Sequence, residues 1–83
     1  MFYGVKVLMY FFDNLRHKLP HIHIEYGDEA VIGIPSGDLI EGSLKRSQMR
    51  LVQAWIEIHQ DELLQNWELA IDGKAVFKIE PLK

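Results

Sequence analysis

Apolar residues recur at every second position through the first half of the chain, and at every third or fourth position through most of the second. A period of two belongs to a strand and a period near 3.6 to a helix. Phe2–Phe12, rich in β-branched and aromatic residues, predicts a first strand. Val5, Val7, Met9 and Phe11 fall on one side of it, and Lys6, Leu8, Tyr10 and Phe12 on the other. Both sides are mostly apolar, so both are expected to be covered. A polar loop follows to Pro20, whose missing N–H suits the start of a strand. In the second strand, His21–Tyr26, Ile22, Ile24 and Tyr26 point one way and His21, His23 and Glu25 the other. Gly27-Asp28 marks a tight hairpin turn. Glu29–Ile34 predicts a third strand with Ala30, Ile32 and Ile34 facing the core. Pro35-Ser36-Gly37-Asp38 has turn chemistry, and Leu39–Glu41 makes a short fourth strand closed by Gly42.

The helical pattern begins at Ser43, the expected N-cap, and no proline interrupts it before Gly73, the expected stop. Gln48, Val52, Trp55, Ile56, His59, Leu63, Trp67 and Ala70 form one stripe, widened by Leu51 and Ile58. The expectation is one long helix, continuous or kinked. Asp61 offers a cap for a second helix if the first breaks near His59–Asp61. Ala75–Ile79 alternates again, as a short last strand would. The predicted fold is a single α+β domain over residues 1–83. An antiparallel β-meander of three to four strands packs on a long C-terminal helix, with or without that last strand.

Composition narrows the classes. At 83 residues the chain is one domain, and 48% hydrophobic content supplies a core with apolar surface to spare. Having no cysteine, it has no disulfide, no thiolate nucleophile and no Cys-based zinc site, and it suits a reducing compartment. The longest strongly apolar run, Val7–Phe12, is far short of the roughly 20 residues of a membrane span. The N-terminal residues lack the basic and small-residue features of a signal peptide. The expectation is a cytoplasmic protein with no membrane contact. A net charge of −3 argues against nucleic acid as the main partner.

Candidate chemistry centres on the histidines. His21, His23 and Glu25 alternate on one strand, and His17 in the preceding loop is close enough in sequence to join them. Imidazoles and a carboxylate on one face suit a divalent transition metal, or a general base and acid near neutral pH. His59 lies in the apolar stripe and reads as a buried histidine bonded to a carbonyl or a Tyr hydroxyl. A helix packed on the Ile22/Ile24 side separates it from His21 and His23. Lys45, Arg46 and Arg50 crowd the first helical turns, where the macrodipole prefers anions. With Arg16 and Lys18 they are candidates for anion or RNA binding. The sheet face turned away from the helix exposes Leu8, Tyr10, Phe12 and Val31, an interaction surface for a protein partner or a second copy. Trp55 and Trp67 fit the core stripe, and no phosphate-cradling loop or nucleophile elbow occurs.

One resemblance covers Tyr3 to Leu82. The run His17-Lys18-Leu19-Pro20-His21-Ile22-His23 is followed by Glu25-Tyr26-Gly27, Glu29-Ala30 and Glu41-Gly42-Ser43-Leu44. Trp55, His59, Glu62-Leu63 and Asn66-Trp67 complete the pattern. It resembles a family of small bacterial proteins known only as domain of unknown function 4160. Their usual signature is His-x-Pro-Pro-His-Phe-His. Here Leu19 replaces the first proline, Ile22 the phenylalanine, and Arg16 stands where an Asp is common. The lost Asp weakens a carboxylate–histidine pairing in that loop. The resemblance implies no activity. It implies a second small protein as partner, in a two-gene module of toxin–antitoxin style. Three readings follow: an interaction module, a small histidine- or metal-dependent enzyme using His17, His21, His23 and Glu25, and a toxin-like RNA-directed protein.

Overall fold

The computed structural model describes residues 4–12, 14 and 18–80. Four strands precede two helices: β1 Lys6–Leu8, β2 His21–Tyr26, β3 Asp28–Gly33, β4 Leu39–Gly42, α1 Arg46–Ile58 and α2 Gln60–Ile71. The strands form one sheet in the order β1-β2-β3-β4, each antiparallel to its neighbours. This is the α+β meander that the alternation predicts.

The β2–β3 register sets Ile22 opposite Ile32 and Ile24 opposite Ala30, and β1 adds Val7 opposite Ile24. These residues share one sheet face, and the four from β2 and β3 are wholly or almost wholly buried. Val52, Trp55 and Ile56 of α1 and Leu63 and Trp67 of α2 close over them. Burying a branched aliphatic or aromatic side chain yields about 1.5–3 kcal/mol. This face is therefore the main source of stability. Gly27 alone, at φ +73°, joins the paired Tyr26 and Asp28. Between β3 and β4 the register slips at Val31/Ile32, so that Leu39 faces Ile32 while Glu41 faces Val31. Gly42 ends β4 at φ +82°, and a Cβ there would collide with the Glu29 carbonyl.

Several expectations need correction. The first strand is three residues, not Phe2–Phe12, because β2 pairs only with Lys6–Leu8. Phe11 and Phe12 instead form a turn, with Phe12 at φ +56° and its N–H donating to the Ala70 carbonyl at 2.9 Å. Phe2 and Tyr3 lie outside the described residues. The first helix starts at Arg46 with Lys45 as N-cap, not Ser43. The chain first lays Leu44 against the core, which delays the helical turn.

The long helix is two. His59, at φ −114° and ψ 29°, ends α1 and begins α2. Its N–H still donates to Trp55 and Ile56 carbonyls at 3.1 and 3.2 Å, and its own carbonyl accepts from Leu63 at 2.9 Å. The ladder is interrupted at a single residue. Ile58, the last residue of α1 and expected on the apolar stripe, is 65% exposed. Asp61 is not the cap; it lies with Glu62 in the first turn of α2, where carboxylates complement the helix dipole.

Gly73 stops α2 as expected. At φ +72° it donates to the Ala70 carbonyl while Lys74 reaches back to Leu69, the two bonds of a Schellman motif. Residues 74–80 contain no turn or bend, yet they join no ladder. Alternation equips a segment for pairing but supplies no neighbour.

Candidate functional site

His21 opens β2 and is 1% exposed. Its Nδ1 lies 2.8 Å from the Leu19 carbonyl, which can only accept, so Nδ1 carries the proton. Trp67 of α2 lies over this ring, centroids 4.7 Å apart. The His21 and His23 rings meet edge to face at 5.4 Å, and Tyr10 lies 4.5 Å from His23. His23 Nδ1 is 3.3 Å from Oε1 of Glu29 on β3. The four rings form one row, Tyr10–His23–His21–Trp67. The imidazoles were expected on a side no helix covers. His21 departs from this because α2 brings Trp67 to the start of β2.

Glu25 is exposed, between Lys6 and Glu29 in the sheet register. A zinc-type site takes three or four protein ligands. Among the described residues, no group of three or more His, Asp or Glu side chains is placed to hold a metal ion. His17, the remaining candidate, and Arg16 lie outside the described residues.

Among the described residues, the His59 ring is bonded to no carbonyl and no tyrosine. Its Nδ1 lies 2.7 Å from Glu62 Oε1, one helical turn on, and its ring is 5.6 Å from Trp55. The side chain keeps 15% exposure, since the break at this residue carries it to the rim of the stripe. Lys45, Arg46 and Arg50 are exposed at the start of α1. The first turn of α1 holds no acidic residue, and Lys45 makes no side-chain cap bond. Arg46 and Arg50 stand one turn apart on an exposed basic face, and Lys45 lines an open pocket with Tyr26, Gly27, Ser43 and Leu44.

The interaction surface is also redistributed. Val31, expected to be open, is 5% exposed. Leu8 is half-buried, and Phe12 has left the sheet plane to lie over Gly73. Tyr10, Phe11 and Phe12 are 44%, 57% and 59% exposed. They continue from β1 toward α2. Beside them runs the segment 74–80. Val7–Met9 and Val76–Ile79 line a cleft of about 400 Å³ together with Ile22, Trp55, Leu63 and Asn66. Phe77, in that lining, is 72% exposed. The exposed Tyr and Phe side chains thus fall just after β1 and in its C-terminal neighbour, while Leu19, Leu39, Ile40 and Ile58 are exposed elsewhere.

Asn66 positions that C-terminal neighbour. Buried in α2, it donates from Nδ2 to the Phe77 carbonyl at 2.7 Å and accepts the Phe77 N–H on Oδ1 at 2.9 Å. One side-chain amide does the work of a neighbouring strand. Trp55 adds a bond from Nε1 to the Glu80 carbonyl at 2.8 Å. Gln53 does the same for the β3–β4 turn, donating to the Gly37 carbonyl at 2.9 Å. The sequence reading assigned none of these roles. The available signal was a single Asn beside Leu63, Trp67 and Ala70, since a buried amide requires partners.

The fold and its edge define a small α+β domain in which two helices close one face of a four-stranded meander. A family model, Domain of unknown function (DUF4160), matches residues 4–68, and the chain belongs to that family. No curated protein and no solved structure matches. No helix among the described residues is long and apolar enough to cross a membrane.

Proposed function

We propose that this protein is an interaction module, acting in the cytoplasm with a protein partner or with a second copy of itself. One observation carries the reading: the aromatics Tyr10, Phe11 and Phe12, which follow β1, are exposed, and so is Phe77, which lines the cleft shared by Val7–Met9 and residues 76–79. Exposed apolar surface beside a sheet edge is the signature of a contact site. The proposed contact surface is Tyr10, Phe11, Phe12 and Phe77. Leu8 contributes to the cleft wall and Val31 contributes nothing accessible.

Chemical cross-linking of the tagged protein in cells, followed by mass analysis of the adducts, tests this. The wild type is expected to give discrete adducts, and a Phe11→Ser/Phe77→Ser variant is expected to lose them. The anchoring of Phe77 uses only its backbone, so its side chain can be changed without removing that anchor. Absence of adducts, or adducts unchanged in the variant, would overturn the reading.

A further inference from the structure

We propose that the partner at this edge is a second copy of the chain, joined by antiparallel backbone pairing of Val76–Lys78 with their counterparts about a two-fold axis through Phe77, and by the side chains of Lys74 and Glu80 on either side of it. The inference rests on the interaction reading above and names its occupant. Successive peptide groups of a straight, non-helical segment point to opposite sides. Asn66 takes both backbone groups of Phe77, so those of Val76 and Lys78 face the other way. Among the described residues, these groups of Val76 and Lys78 make no hydrogen bond, and both residues are exposed. They are a short unused edge, bounded by Lys74, whose N–H donates to Leu69, and by Glu80, whose carbonyl accepts from Trp55.

Charge selects the register. Centring the pair on Phe77 places Lys74 opposite Glu80 of the other copy, twice, with Val76 opposite Lys78 and Phe77 opposite Phe77. The N–H and carbonyl of Val76 then meet those of Lys78 on the other copy. Moving the axis to residue 76 sets Lys74 against Lys78, and moving it to residue 78 sets Lys78 against itself. Both alternatives oppose like charges. A two-fold arrangement closes on itself, so the product is a dimer and not a filament. The paired stretch is short, and the dimer is expected to be a weak one that forms at micromolar concentrations or above.

Sedimentation velocity from about 5 to about 500 µM tests this on the full chain. Wild type is expected to pass from monomer toward dimer. Lys74→Glu alone and Glu80→Lys alone each place like charges opposite one another and are expected to weaken the dimer about ten-fold. Mixing the two variants restores Glu–Lys pairs at both ends, and a heterodimer at least as tight as wild type is expected. A monomer at every concentration would overturn the proposal. So would variants that dimerise like wild type, or a mixture no tighter than either variant alone. Edge-dependent adducts in cells combined with a monomeric pure protein would leave the interaction reading standing and remove only the second copy.

Discussion

The β2–β3 hairpin and the segment 74–80 carry similar alternating patterns and are held in different ways. The hairpin is fixed by a backbone ladder six pairs long, with Ile22, Ile24 and Ile32 sealed beneath the helices. The C-terminal segment has no ladder and is fastened by side chains, Asn66 at Phe77 and Trp55 at Glu80. A ladder distributes its strength over many bonds, so it opens cooperatively with the rest of the domain. A segment held at separate points can open by itself. The comparison also shows why one edge of the molecule is available for contact: the hairpin has spent its pairing groups inside the sheet, whereas Val76 and Lys78 of the segment have not.

Breaking the hairpin should be the costlier change. Ile24→Ala empties a fully buried position and is expected to remove about 3 kcal/mol, or a melting temperature loss of roughly 12–24 °C. Amide exchange should then rise throughout the molecule. Asn66→Ala tests the other side of the comparison. Losing both bonds to Phe77 is expected to cost about 1–3 kcal/mol. Faster exchange should be concentrated in residues 74–80, with the hairpin amides accelerating less. Uniform acceleration would show that the segment and the sheet open as one unit. The smallest effect is expected from Gly73→Ala, about 1–2 kcal/mol for a left-handed alanine. Its Cβ would meet the ring of Phe12, so the near-UV signal of the aromatic edge should change while far-UV ellipticity stays close to wild type.

Strand order and core face were legible because alternation reports directly on burial. Ile22, Ile24, Ala30, Ile32 and Ile34 all lie where their spacing puts them. The helix stripe was equally plain at Val52, Trp55, Ile56, Leu63, Trp67 and Ala70. What periodicity cannot register is a change of direction. The break at His59 needs no proline or glycine, so it left no mark beyond the nearby Asp61. The cover over His21 was hidden for a related reason: it comes from Trp67, 46 positions away in sequence and counted as core. The end of the first strand was illegible because a strand stops where its partner stops, and β2 sets that limit through its own register. Asn66 is the instructive omission. Periodicity counts it as one polar residue in an apolar stripe, and only the demand that buried amides be satisfied gives it a role.

The break at His59 has a mechanical consequence. α1 is tied to the β3–β4 turn through Gln53, and α2 to the far end of the β1 side through the bond from Phe12 to Ala70. Each helix is therefore tethered to a different half of the sheet, and one non-helical residue is the joint between them. A flexing motion that spared every strand pair would have its pivot there. Such a motion would tilt α2, and with it Asn66 and the segment that Asn66 holds.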